Sequence, residues 1–148
     1  MLISREELCS LIPHSGDMCL LDGVSDWDEE SIVCTASSHL APNNPLRQGG
    51  RLACVHLLEY GAQAVAVHGG LLARNGGRSQ GPGYLASLQD VRLQCEFLDG
   101  VTTDLEVLAR KLAISDACLM YKVTINTQGQ ELASARVTIA LQPNEVIS

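Results

Sequence analysis

Residues 51–72 read RLACVHLLEYGAQAVAVHGGLL, and the fold turns on this stretch. Its apolar content is too continuous for a surface helix and too long for one strand, so it reads as a helix buried on most sides. Arg51, His56, Glu59, Gln63 and His68 interrupt every run long enough to cross a bilayer, which argues against a transmembrane span. A helix of this kind has to be covered, and the flanking segments supply the cover. Upstream, Ser4 followed by Glu7 is a capping-box pattern, and Leu8, Leu11 and Ile12 follow at helical spacing before Pro13. Met18 to Val24 and Ser31 to Ser37 read as two strands about the acidic turn Asp26 to Glu30. Leu40 to Gly50 is a loop by its prolines, asparagines and Gly pair, and Ala73 to Gly83 is a second, polar loop.

Downstream, alternation of apolar and polar residues gives strands over Tyr84 to Asp90 and on through Val91, Leu93, Cys95 and Phe97. Others run from Leu105, over Leu119 to Asn126, and over Ala133 to Leu141. Asp99-Gly100 breaks the series, and Gln128-Gly129 predicts a hairpin turn. One bent antiparallel sheet wrapped round the helix is the α+β solution that buries it, in a single domain over residues 1–148. Such a sheet has edges that need pairing, so a dimer with edge strands joined is expected.

The chain has 148 residues with 10 Lys+Arg against 17 Asp+Glu, a formal net charge of −7. That balance argues against nucleic acid as the main partner and against an acidic membrane surface, because both are bound through cations. Six cysteines are scattered with no C-x-x-C pair and no Cys/His cluster at ligand spacing, so neither a metal site nor a redox dithiol is signalled and no cofactor is expected. Most lie in apolar segments, where a free thiol behaves as a small hydrophobe. With no basic start followed by an apolar run, the reading is a reduced, cytoplasmic protein.

At about 100° per residue, His56, Glu59, Tyr60 and Gln63 share a sector of roughly 100° on a helix otherwise almost wholly apolar. A carboxylate on the innermost helix is expected to be buried, and burial raises a carboxyl pKa into the range where it gives and takes protons near neutrality. Glu59 is therefore the leading candidate for proton transfer. His56, three residues before Glu59, reads either as orienting it or as a surface residue, with the structural role favoured, and His68 reads as a partner of the negative helix end ahead of Gly69-Gly70. His14 and His39 reach Glu59 only if the tertiary fold brings them there. The Gly49-Gly50 pair, read as lying at the helix N-terminus, offers backbone N–H groups to a carbonyl oxygen or an anion, a natural complement to an acid two turns on.

The stretch from Leu11 to Asp22, with Pro13-His14 and Met18-Cys19-Leu20-Leu21-Asp22, resembles the opening of the hotdog-fold 3-hydroxyacyl-ACP dehydratases. Leu58-Glu59-Tyr60-Gly61-Ala62-Gln63-Ala64 resembles the Glu-Ala-Met-Ala-Gln-Ala segment of their central helix. Within that group the Glu-Tyr-x-Ala-Gln pattern is most similar to the small dehydratases of aryl polyene pigment clusters. The resemblance implies a hotdog fold and loss of water from a 3-hydroxyacyl thioester, held on an acyl carrier protein, to give the trans-2-enoyl thioester. It implies a cofactor-free hydro-lyase acting in fatty-acid or polyene synthesis. Glu59 matches the family's helix Glu. The family's loop His does not match, and Asn44 stands where an imidazole is expected.

On this reading Glu59 handles the departing hydroxyl, the Gly50 N–H holds the thioester carbonyl, Asn44 orients substrate, and Gln63 and His56 line the binding site. The partners implied are an acyl carrier protein and a second hotdog subunit, identical or related. Arg47, Arg51, Arg74 and Arg78 are candidates for a basic rim that receives the acidic carrier. Two alternatives stand beside the active dehydratase: a catalytically weak subunit that completes a heterodimer, and an acyl thioesterase.

Overall fold

The computed structural model describes residues 2–12, 18–77 and 83–141. Ser4 caps the short helix α1 (Arg5–Ser10), its hydroxyl accepting from the Glu7 N–H at 3.3 Å. Strands β1 (Gly23–Trp27) and β2 (Ser31–Ala36) form a hairpin. The Asp28 carboxylate closes its turn by accepting from the N–H groups of Glu30 and Ser31 at 2.8 and 2.9 Å. Residues 18–22, expected to begin the first strand, lie outside it. Helix α2 (Leu57–Asn75) follows the long loop, and then come β3 (Gly83–Leu93), β4 (Leu105–Ile114), β5 (Cys118–Thr127) and β6 (Gln130–Leu141). All six strands form one antiparallel sheet in the order β1-β2-β4-β5-β6-β3. Gln128 and Gly129, both with positive φ, make the two-residue turn expected between β5 and β6.

The sheet curls round α2 as the α+β reading requires. Ile32, Cys34, Val107, Ala109, Tyr121, Val123, Ala135 and Val137 point inward, and Leu57, Tyr60, Ala64, Val65, Val67 and Leu71 meet them from the helix. Glycine is required at one point of this contact. A Cβ on Gly61 would lie 2.8 Å from a Val123 methyl, so its absence sets how close helix and strand approach.

His68 is fully buried and lies inside α2, two turns short of its end, which corrects its placement against the helix terminus. Its Nε2 donates to the Asp28 carbonyl at 2.7 Å, which leaves Nδ1 to accept from the Tyr121 hydroxyl. The Trp27 ring stands edge-on at 6.3 Å. Burial pushes the His68 pKa down and the Tyr121 pKa up, so both groups are held neutral.

The cysteines depart from the expectation of uniformly free thiols. Cys9 and Cys19 form a disulfide that ties the end of α1 to the segment before β1. Their separation of ten residues gave no motif to read. Cys34 and Cys54 are buried free thiols, and burial pushes the Cys34 thiol up to about 12.

Two outcomes follow. Gly61→Val should lower the free energy of unfolding in urea by about 1–3 kcal/mol through overpacking, and Val123→Ala in the same chain should recover part of it. Because the folded His68 binds a proton less readily than the unfolded one, stability should fall as pH drops below about 6.5, and the slope over pH 5–6.5 should be shallower in His68→Gln.

Candidate active site

The backbone enters α2 through a path the sequence did not disclose. Ala53 bridges to Phe97, the Cys54 N–H donates to the Glu96 carbonyl at 2.8 Å, and a 3-10 turn over Cys54–His56 precedes the helix proper. The expected start at Arg51 therefore moves to Leu57. Gly49 and Gly50 lie well upstream, where φ values of +60° and +78° and the paired bonds between Gln48 and Arg51 make a tight two-residue turn. The Gly50 N–H is thus not at the helix N-terminus as expected, and its carbonyl accepts from Arg47 at 2.9 Å.

Glu59 projects from the first turn of α2 on the side turned away from the sheet, and it is exposed on the single chain. The expected burial is not supplied by its own subunit. Tyr60, read as sharing its face, turns wholly into the core. A sector of 100° is wide enough to straddle the boundary between core and surface, and these neighbours fall on opposite sides of it. His56 and Gln63 are half-buried at the margins. Gln63 receives the Leu20 N–H at 2.9 Å and donates to the Met18 carbonyl, so it fastens the segment before β1 to the helix.

Asn44 is buried and three hydrogen bonds hold its amide. Nδ2 donates to the Ser38 carbonyl at 2.9 Å and to the Tyr60 hydroxyl at 3.1 Å, while Oδ1 accepts from the Leu46 N–H at 2.8 Å. Ser38 donates to the Leu20 carbonyl at 2.7 Å, so the Tyr60 hydroxyl donates in turn to Ser38 at 2.8 Å. Through this chain of bonds Asn44 braces the loop. Burial raises the Tyr60 pKa and keeps the phenol a donor. The roles of Tyr60 and Ser38 were missed in the sequence, although a Tyr within an otherwise polar stripe was a usable signal.

The other candidates are placed as follows. His39 is buried, its Nε2 donating to the Thr103 carbonyl at 2.9 Å, and desolvation lowers its pKa. It lines a cavity of about 290 Å³ with Arg47, Leu52, Leu98, Asp99 and Thr102, a cavity that Glu59 does not line. His14 and Arg78 lie outside the described residues. Three arginines of the expected basic rim are engaged. Arg47 donates to the carbonyls of Ala41, Gly50 and His39, Arg51 pairs with Asp99 at 2.8 Å and stacks on Phe97, and Arg74 pairs with Glu7 at 2.9 Å. Among the described residues no group of His, Cys, Asp and Glu could hold a metal, and no helix is long and apolar enough to cross a membrane.

The model of one family, described as ApeP dehydratase, matches residues 6–148. The chain belongs to the ApeP-like dehydratase family. Among solved structures, it is similar to the dehydratase heterocomplex ApeI:P from Xenorhabdus doucetiae, at 22% identity and a TM-score of 0.81 over 93% of this chain and 91% of that one. It is also similar to a thioesterase from Haemophilus influenzae, at 14% identity and a TM-score of 0.68 over 100% of both chains. A thioesterase variant from Pseudomonas aeruginosa gives 14% identity and a TM-score of 0.67 over 97% of both. These likenesses share the hotdog fold. Among curated proteins none matches the sequence.

As an ApeP-like dehydratase the chain should need Asn44 for its architecture. Asn44→Ala leaves the Leu46 N–H and the Tyr60 hydroxyl short of partners and should cost about 1–3 kcal/mol, read as a lower thermal midpoint. A residue facing open substrate space would leave that midpoint unchanged.

Proposed function

We propose that this dehydratase removes water from a 3-hydroxyacyl thioester carried on an acyl carrier protein, with Glu59 as the proton-transfer group, and that it works as one subunit of a dimer. The observation that carries the reading is the position of Glu59. It matches the family's helix Glu, stands on the one side of α2 the sheet leaves uncovered, and has no cation within ion-pair reach among the described residues.

In the reaction the C2–H bond and the C3–O bond break, C2=C3 forms, and the hydroxyl takes a proton to leave as water. One group must accept the C2 proton and one must protonate the oxygen. Glu59 protonates the departing hydroxyl. Both N–H donors of Asn44 are held within the chain and no imidazole of the described residues is bonded to Glu59, so the second group comes from the other subunit or Glu59 serves twice.

A second subunit has a place to go. Strand β3 is one edge of the sheet, every residue from Ala86 to Leu93 is exposed, and Tyr84, Leu88, Val91 and Leu93 among its side chains are large and apolar. An edge of that length and character is stable in water only when paired. Pairing there would shield apolar surface and could dry the Glu59 side of the helix, giving the carboxyl the burial its own chain withholds. The similar ApeI:P complex is a heterocomplex, and we extend that to this chain: its partner is a related hotdog subunit.

Glu59→Gln keeps the shape of the side chain and removes its proton. Turnover of a 3-hydroxyacyl thioester by the assembled enzyme should fall by about 10²–10⁴-fold with assembly unchanged, and turnover that persists would refute the assignment. Assayed alone and then with a related hotdog subunit, the chain should gain activity on mixing.

A further inference from the structure

Among the described residues four cysteines carry free thiols, and two of these meet. Residues 52–54 and 96–98 run antiparallel. The Leu98 N–H donates to the Leu52 carbonyl at 2.9 Å and the Cys54 N–H to the Glu96 carbonyl at 2.8 Å, with Ala53 and Phe97 bridged between them. Strand β6 closes the corner, because the Leu132 carbonyl accepts from the Gln94 N–H at 2.8 Å and from the Cys54 thiol at 3.6 Å. Cys54 is thus fastened to both neighbours of Cys95, to Gln94 through a shared acceptor and to Glu96 directly. The Cys54 and Cys95 thiols are hydrogen-bonded to each other. The reaction proposed above uses neither.

Their exposures differ in a way that sets an order of events. Cys54 is wholly buried, whereas Cys95 is half-buried between the exposed Gln94 and Glu96. Burial, and then the Cys95 thiol against it, push the Cys54 pKa up, so its proton stays on. A thiol reacts as the thiolate and only where a reagent reaches it, so Cys95 is the one that meets solutes. The other two free thiols make the contrast. Cys34 is wholly buried, and Cys118 is half-buried with the Ser115 hydroxyl beside its sulfur.

We propose that Cys54 and Cys95 are a dithiol site that a low-molecular-weight disulfide oxidises to an intrachain bond, tying the exit of β3 to the entry of α2. In the first step Cys95 loses its proton to water and its thiolate attacks one sulfur of the small disulfide. That S–S bond breaks, one small thiolate leaves, and a mixed disulfide stands on Cys95. In the second step Cys54 gives its proton to water and attacks the Cys95 sulfur, and the second small thiolate leaves. Two protein thiols are oxidised, and one small disulfide is reduced to two thiols. The first step also removes the neighbouring thiol that helped to hold the proton on Cys54. Cys54 opens the 3-10 turn that leads into α2, and Cys95 lies just past Leu93, the last residue of β3. The loop closed by the bond contains all of α2 and β3, so the bond restricts the unfolded chain.

The test equilibrates the full chain in glutathione buffers of graded reduced-to-oxidised ratio, blocks the remaining thiols with N-ethylmaleimide and reads tryptic peptides by mass spectrometry. Cleavage after Arg51, Arg74, Arg92 and Arg110 leaves Cys54 and Cys95 each in a peptide with no other cysteine, residues 52–74 and 93–110. Those two peptides should be linked in the oxidised protein, while Cys118 carries at most a mixed disulfide. In Cys54→Ser the Cys95 peptide should carry glutathione instead, about tenfold or more above the wild-type level, because the thiol that expels it is gone. The rise in thermal midpoint from reducing to oxidising buffer should be larger in the wild type than in Cys95→Ser by about 5 °C or more, the Cys9–Cys19 bond being common to both. Thiols that stay free at every ratio overturn the proposal. So does glutathione that persists on Cys95 in the wild type as it does in Cys54→Ser, a link that forms only in urea, or a link that brings no such rise.

Discussion

A helix with almost no charge has to be kept from water over nearly its whole circumference, and one curled sheet covers only part of it. In this chain the strands take the arc that carries Tyr60, Gly61, Ala64, Val67, His68 and Leu71, and Gly61 lets β5 come close enough to close the gap. The arc that remains holds Glu59, with His56 and Gln63 half-shaded at its margins. The bare edge of β3 is the second consequence of the same geometry, since a sheet that ends in an open strand has finished neither its hydrogen bonding nor its apolar cover. On the proposed role of Glu59, the chemistry depends on how that uncovered arc is completed.

Much of the fold was legible because periodicity reports burial directly. The alternation in β6 and the polar-apolar rhythm of β5 gave the strands, and Gln128-Gly129 gave their turn. The long apolar run gave α2, but its first turn was misplaced. Residues 52–54 are apolar for another reason: they pair with residues 96–98 far along the chain, and a bridge of that kind leaves no local pattern. The same non-local pairing explains why the alternation through Cys95 and Phe97 did not continue β3, which ends at Leu93. The Cys9–Cys19 bond was illegible for a similar reason, since it depends on how the chain folds back and not on a motif.

The placement of the candidate residues was legible in part. Glu59 could be singled out because a carboxyl on an apolar helix is costly unless it serves a purpose. Which side of the core boundary it fell on could not be read from an arc of 100°, because Tyr60 next to it is wholly interior. Asn44 was read as a substrate contact, and nothing in the sequence disclosed that Ser38 and Tyr60, from two other segments, take both of its N–H donors.

Arg47 sends its donors to the carbonyls of Ala41, Gly50 and His39 and so draws both ends of the loop over residues 39–50 onto one planar group. The conformational entropy of that loop is therefore surrendered when the chain folds and not when it meets another molecule. An incoming subunit or acyl group finds a surface already set, its association is close to the joining of two rigid bodies, and more of the contact energy remains to hold the complex together.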